Sequence, residues 1–195
     1  PELLEYFRNR ASRNAGDFAS FAGAGVYRHH IPLIIDALIS RSEFYTAYTP
    51  YQPEIAQGTL QAIFEFQTYI TQLTGMDVSN ASLYDGSTAV AEGVLMAQRV
   101  TGKKRFLVAK TVHPEYRAVI STYVKNLGFE IELIDYAQDG RVDLSTLERA
   151  IRKDVAAVVV QTPNFFGAIE PTEAVSQIAQ KHDALTIVNI CEAVS

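Results

Sequence analysis

The chain has 195 residues, 48% of them hydrophobic and 20% charged, with a net charge of −5. That length accommodates one sizeable domain with its own core, and an acidic balance without a basic stripe argues against a nucleic-acid surface. No apolar run approaches the ~18 residues of a membrane-spanning helix, the first residues do not read as a secretory leader, and a single cysteine, Cys191, excludes an internal disulfide framework and fits a reducing compartment.

Residues 1–13 place Leu3, Leu4 and Phe7 on one helical face. After a glycine turn, Gly23-Ala24-Gly25, the residues Ile31, Ile34, Ile35 and Leu38 follow the i, i+3, i+4, i+7 spacing of a short amphipathic helix. Residues 58–74 predict a longer helix with Leu60, Ile63, Phe64 and Ile70 inward. Phe66, Tyr69 and Leu73 widen its apolar face, so packing on two sides is expected, with Gly75 ending it.

The second half alternates. Strands are predicted at 105–109, 129–134, 155–160 and 185–190. Between them lie a helix opening at Pro114 and closed by Gly128, a helix capped by Asp143, and a helix over 171–182. This order implies right-handed crossovers and a mostly parallel sheet with flanking helices. Ligands in such sheets gather at the carboxyl ends of the strands, which directs attention to the loops 110–113, 135–141, 161–167 and 191–195. The expected domain division is a helical N-terminal arm and interface segment over 1–75 and an α/β large domain over 76–195. The chain starts at Pro1 and stops at Ser195 just past an apolar strand, so it is expected to be part of a longer polypeptide, with the large domain cut at its C-terminal end.

Candidate chemistry is concentrated in a few places. Tyr84-Asp85-Gly86-Ser87-Thr88 precedes a helix, and a glycine with two hydroxyls at a helix start can hold a phosphate. The alternative, that Asp85 or Ser87 caps the helix, is favoured on spacing, and a carboxylate there would repel a phosphate dianion. The glycine pair of Gly23-Ala24-Gly25-Val26-Tyr27-Arg28 is not a dinucleotide fingerprint, because no strand precedes it and Arg28 holds the third glycine position. Adjacent His29 and His30 point apart, and His113 and His182 are remote from them, so no metal site is expected. Cys191 reads as a small apolar residue. The segment 48–58, with Tyr48, Tyr51, Gln52 and Glu54 beside Pro50 and Pro53, is stiffened by its prolines and reads as a contact surface.

Five blocks of sequence resemble the P-protein family of the glycine cleavage system. One is Tyr48-Thr49-Pro50-Tyr51-Gln52-Pro53-Glu54-Ile55-Ala56-Gln57-Gly58, followed by Phe64-Glu65-Phe66-Gln67-Thr68. A second runs from Gly23 to Pro32 and a third from Asn80 to Ala89. The others are His113-Pro114-Glu115-Tyr116-Arg117 and Gln161-Thr162-Pro163-Asn164-Phe165-Phe166-Gly167. The resemblance is to the first half, or α subunit, and covers nearly the whole chain.

It implies a large-domain fragment of the pyridoxal-phosphate (PLP) fold type I, the aspartate aminotransferase fold. It also implies an assembled enzyme, a heterotetramer, that decarboxylates glycine and passes the aminomethyl group to the lipoyl arm of the H-protein. The implied partners are the second (β) subunit, the lipoylated H-protein and glycine, and the implied location is cytoplasmic. The Schiff-base lysine belongs to the second half in this family, so PLP is expected to be held mainly by the partner and the isolated chain to be inactive. Gly86, Ser87 and Thr88 match the phosphate-cup position, His113 the ring-stacking position and Glu192 the partner of the pyridine nitrogen, read together as a vestigial, empty pocket. Tyr48, Tyr51, Gln52, Glu54, His29 and His30 are the candidate contacts to the partner's site or to substrate. Two other readings stand beside this one: an independent PLP transferase or lyase cut before its lysine, and a non-catalytic scaffold or phosphate-binding module.

Overall fold

The computed structural model describes residues 1–14, 30–46 and 48–190. Pro1–His30 and Ile31–Ser195 form two compact units. In the first, helix α1 (Glu2–Ala11) has acidic residues in its first turn and arginines in its last, matching the helix dipole at both ends.

The second unit opens with two short helices, α2 (Ile34–Ile39) and α3 (Ser42–Tyr45), and then the long α4 (Gln57–Thr74), which ends at Gly75 with φ +70°. α5 (Gly86–Thr101) starts at the Asp85 cap and leads into β1 (Arg105–Ala109). Then follow α6 (Pro114–Val124), β2 (Glu130–Ile134), α7 (Leu144–Ala150), β3 (Val155–Thr162), α8 (Thr172–Gln180) and β4 (Leu185–Ile190). The strands form one sheet of order β2-β1-β3-β4, and every pairing is parallel.

Burial explains the order. β1 and β3 are the inner strands, and Phe106–Ala109 and Val155–Val160 are closed off from solvent on both faces. α6 packs against α5, and α7 against α8, so helices layer the sheet on both sides. α5 contributes Val90, Ala91, Val94 and Ala97 to the core, α6 Ile120 and Val124, α7 Leu147, and α8 Val175, Ile178 and Ala179. At the amino end of the sheet Arg105 ties three segments together, reaching Glu130 at 3.5 Å, Asp154 at 3.4 Å and the Glu132 carboxylate.

The chain leaves β1 in one direction to form β2 and returns past β1 to form β3. That reversal opens a crevice at the carboxyl ends of β1 and β3, the place where this architecture receives ligands.

The long predicted helix is present, but its packing is not as expected. None of its residues is buried, and Phe64 is 67% exposed. Leu60, Ile63 and Ile70 are half-buried, as their inward placement predicts, whereas Phe64, Phe66, Tyr69 and Leu73, which widen the apolar face, stay exposed. Gln67 Nε2, donating to the Ser79 carbonyl, ties the helix to the segment that follows.

Candidate functional site

The carboxyl ends of β1 and β3 carry two loops that meet. His113 is the N-cap of α6: its Nδ1 accepts from Glu115 N at 3.2 Å, and Pro114 occupies the first helical position, where a missing N–H is harmless. Gln161 at the end of β3 accepts from His113 N at 2.9 Å and donates to the Pro163 carbonyl at 3.2 Å. Phe165 N donates to the Thr111 carbonyl at 2.9 Å, so the loops after β1 and β3 are stitched together. The imidazole of His113 lies 5.1 Å from the Tyr116 ring and 5.0 Å, edge to face, from Phe165.

Tyr116 joins this cluster to the start of α5. Its hydroxyl stands 2.7 Å from the point a Cβ on residue 86 would occupy, so any side chain there would make Tyr116 give way. The structure thus brings Gly86 and His113 together through Tyr116, which the sequence reading names only within the block 113–117 and gives no site role. The usable signal was its spacing, three residues beyond His113, one turn along the same helix.

The α5 start is occupied by its own residues. Asp85 Oδ1 accepts from Ser87 Oγ at 2.6 Å and from Thr88 N at 2.8 Å, while Thr88 Oγ1 returns an acceptor to Asp85 N at 3.3 Å. This is a reciprocal capping box. The Ser87 hydroxyl foremost, and then the Thr88 amide, hold the Asp85 carboxyl below the usual carboxylate range. The Ser87 and Thr88 hydroxyls and the Thr88 amide, donors that a phosphate would use, are therefore spent on a carboxylate. Lys110, at the end of β1, has its ammonium 2.8 Å from Asp135 Oδ2. These residues do not fit a bound PLP phosphate.

A second region lies in the segment before α4. Tyr48 and Tyr51 are 79% and 75% exposed, with ring centroids 5.9 Å apart and tilted 44°. With Gln52, Ile55, Thr59 and Glu43 they line an open hollow of about 510 Å³. Glu54 belongs to the neighbouring hollow of about 560 Å³, beside Leu60 and Phe64. The Arg41 guanidinium, 2.7 Å from Glu43, holds that carboxyl down at about 2, so the edge of the first hollow carries an exposed ion pair. His30 is exposed at the end of the first compact unit. His29, the 23–28 turn, Cys191 and Glu192 lie outside the described residues. Among the described residues no group of three or more His, Cys, Asp or Glu is placed to hold a metal ion.

The family model described as "Glycine cleavage system P-protein" matches residues 1–194. A relative from Koribacter versatilis named "Probable glycine dehydrogenase (decarboxylating) subunit 1" is 55% identical over the whole of this chain and 44% of its own length. One of the same name from Solibacter usitatus is 56% identical over all of this chain and 43% of its length. The chain thus spans less than half the length of these curated relatives. A crystal structure of an inhibitor-bound glycine decarboxylase (P-protein) of the glycine cleavage system superposes with a TM-score of 0.85 at 45% identity, covering 96% of this chain and 42% of that one. A sphingosine-1-phosphate lyase from Burkholderia pseudomallei matches with a TM-score of 0.73 at 18% identity over 96% of this chain and 46% of that one, a likeness of fold alone. The fold is that of the fold type I PLP-dependent enzymes.

Proposed function

The chain belongs to the glycine cleavage system P-protein family, and from that premise we propose that it forms part of a glycine decarboxylase whose chemistry is completed by a second subunit. The observation that carries this reading is identity above one half, along the entire chain, to relatives named as subunit 1 of a glycine dehydrogenase (decarboxylating). A first subunit implies a second. The self-capped start of α5 supports a division in which PLP is held on the partner's side, where it supplies the electron sink for decarboxylation. The substrate is glycine, and the aminomethyl group passes to the lipoyl arm of the H-protein. A cytoplasmic assembly accords with bacterial relatives of this kind, and among the described residues no helix is long and apolar enough to cross a membrane.

In this reading the segment 48–58 is the arm that faces the partner's cofactor or substrate. Its two phenols stand in solvent on a proline-stiffened backbone, beside an amide and a carboxylate. Exposed phenols on a rigid segment lose little entropy on contact.

The test is reconstitution of the complete subunit with subunit 2, PLP, lipoylated H-protein and glycine, followed by exchange of labelled carbon dioxide into the glycine carboxyl. Exchange is expected only with both subunits present. The double substitution Tyr48→Phe/Tyr51→Phe is expected to lower kcat/KM for glycine, or PLP retention, by about tenfold or more, an effect of the size of one or two lost hydrogen bonds, with circular dichroism unchanged. Equal kinetics would remove the arm from the site. Borohydride reduction of the subunit alone with PLP is expected to fix no lysine adduct; a stoichiometric adduct would favour an independent PLP enzyme.

A further inference from the structure

The misfit at the start of α5 has a specific cause. The cap is a tetrapeptide, Asp85-Gly86-Ser87-Thr88, and the same pattern recurs as Asp143-Leu144-Ser145-Thr146 at the start of α7. There Asp143 accepts from Ser145 N at 2.9 Å, Ser145 Oγ at 2.8 Å and Thr146 Oγ1 at 2.7 Å. Thr146 N donates to it as well, at 3.3 Å. At α5 the Asp85 carboxylate takes the equivalent Ser87 hydroxyl, the Thr88 amide and, at 3.2 Å, the Thr88 hydroxyl. The glycine of the first copy differs from the leucine of the second for a reason on the page: Tyr116 closes on residue 86. Nothing else in the backbone of the α5 start distinguishes it from an open helix N-terminus. Asp85 is extended, at φ −158° and ψ 171°, and the helix begins regularly after it.

We infer that Asp85 is a built-in occupant of the position where this fold would take a cofactor phosphate, and that its carboxylate keeps the chain from holding a phosphorylated ligand there. The Ser87 and Thr88 hydroxyls and the Thr88 amide are satisfied internally, and an arriving dianion meets a fixed negative charge at the same atoms. The α5 start is closed by substitution of one anion for another and not by loss of the helix geometry. This goes beyond the assignment of the enzyme and stands on the geometry of this chain alone, so it survives or fails independently of whether the assembly decarboxylates glycine.

The experiment follows amide hydrogen exchange at Ser87 and Thr88 in the complete subunit while inorganic phosphate, and separately PLP, is titrated. Glycine is a tolerated N-cap residue, so Asp85→Gly removes the carboxylate while leaving the helix start. Asp85→Asn keeps a capping oxygen without the charge and is the fallback if the glycine variant folds poorly. The wild type is expected to show no phosphate-dependent protection at these amides. Asp85→Gly is expected to show saturable protection with at least tenfold tighter apparent binding, and Asp85→Asn a smaller gain. The amides of Ser145 and Thr146 are expected to stay unchanged throughout, serving as the internal reference. Protection in the wild type would overturn the inference. So would an Asp85→Gly variant that binds phosphate no better than the wild type, since the closure would then lie elsewhere.

Discussion

Glu170 is 3% exposed, and both its oxygens are filled by N–H donors: Oε1 by Asn164 Nδ2 and Oε2 by Val142 N, each at 2.8 Å. Asn164 in turn accepts from Phe166 N at 2.9 Å and Ala168 N at 3.1 Å, and donates to the Gly140 carbonyl at 2.8 Å. These bonds lock the loop after β3 to the turn before α7 and hold Phe166 against Tyr136, with ring centroids 5.1 Å apart. A carboxylate suits two facing donors; an amide does not. Glu170→Gln is nearly isosteric, yet its NH₂ must face a donor in either orientation. It is expected to destabilise the fold by about 1–3 kcal/mol in urea unfolding. A Gln variant as stable as the wild type would dismiss the clamp. Asp143 yields a prediction in acid. Hydrogen bonds from Thr146 and Ser145 lower its carboxyl from 3.8 to about 2. A depressed folded value adds stability above the unfolded value and loses it as pH falls through the folded one. The melting temperature of the wild type should therefore fall more steeply between pH 4 and pH 2 than that of Asp143→Asn, which caps without titrating; parallel curves would exclude the linkage.

At the scale of elements, chain order was written plainly. β1 and β4 lie where continuous apolar runs predict them, and β3 extends two residues beyond its predicted end, to Thr162. Strands buried on both faces leave little ambiguity of pattern. The caps were also legible, because Asp85, Asp143, Pro114 and Gly75 act through local geometry that the sequence carries with it; Gly128 does not close α6, which ends earlier, at Val124 with Lys125 as its cap. What local pattern cannot carry is the meeting of distant segments. The approach of Tyr116 to Gly86 and the Glu170 clamp both join residues from separate loops, and neither leaves a periodic signal. The two kinds of information separate on mutation. Leu107→Ala in the wholly buried β1 should cost about 2–5 kcal/mol, because it opens a cavity between packed layers. Gly128→Ala meets no neighbour within 4 Å but sits at φ +68°, so its expected loss of about 1 kcal/mol comes from backbone strain alone. Chemical unfolding of both variants would show the difference.

On the scale of the whole molecule, the apolar surface is divided unequally. The sheet and its helices bury a continuous core, whereas Leu33, just before α2, is 89% exposed and one side of α4 faces solvent, with Phe64 at 67% and Leu73 at 65% exposed. The helical period of α4 was readable; that its second side, with Phe64 and Leu73, stays open was not, because amphipathicity specifies a preference and not a partner. Side chains of this size in water favour association, at about 25 cal/mol for each Å² of apolar area removed. The chain on its own is therefore expected to self-associate. Light scattering after size exclusion should report a mass above that of one chain, rising with concentration. Phe64→Gln/Leu73→Gln replaces two exposed apolar residues by good helix formers, so circular dichroism should be retained while the mass falls toward that of a monomer. In the reconstituted enzyme the same pair should weaken binding to subunit 2 if α4 is covered there. Intact assembly together with a monomeric isolated chain would place the contact between subunits elsewhere. A wild-type chain that stays monomeric at tens of micromolar would show that α4 tolerates water without a partner.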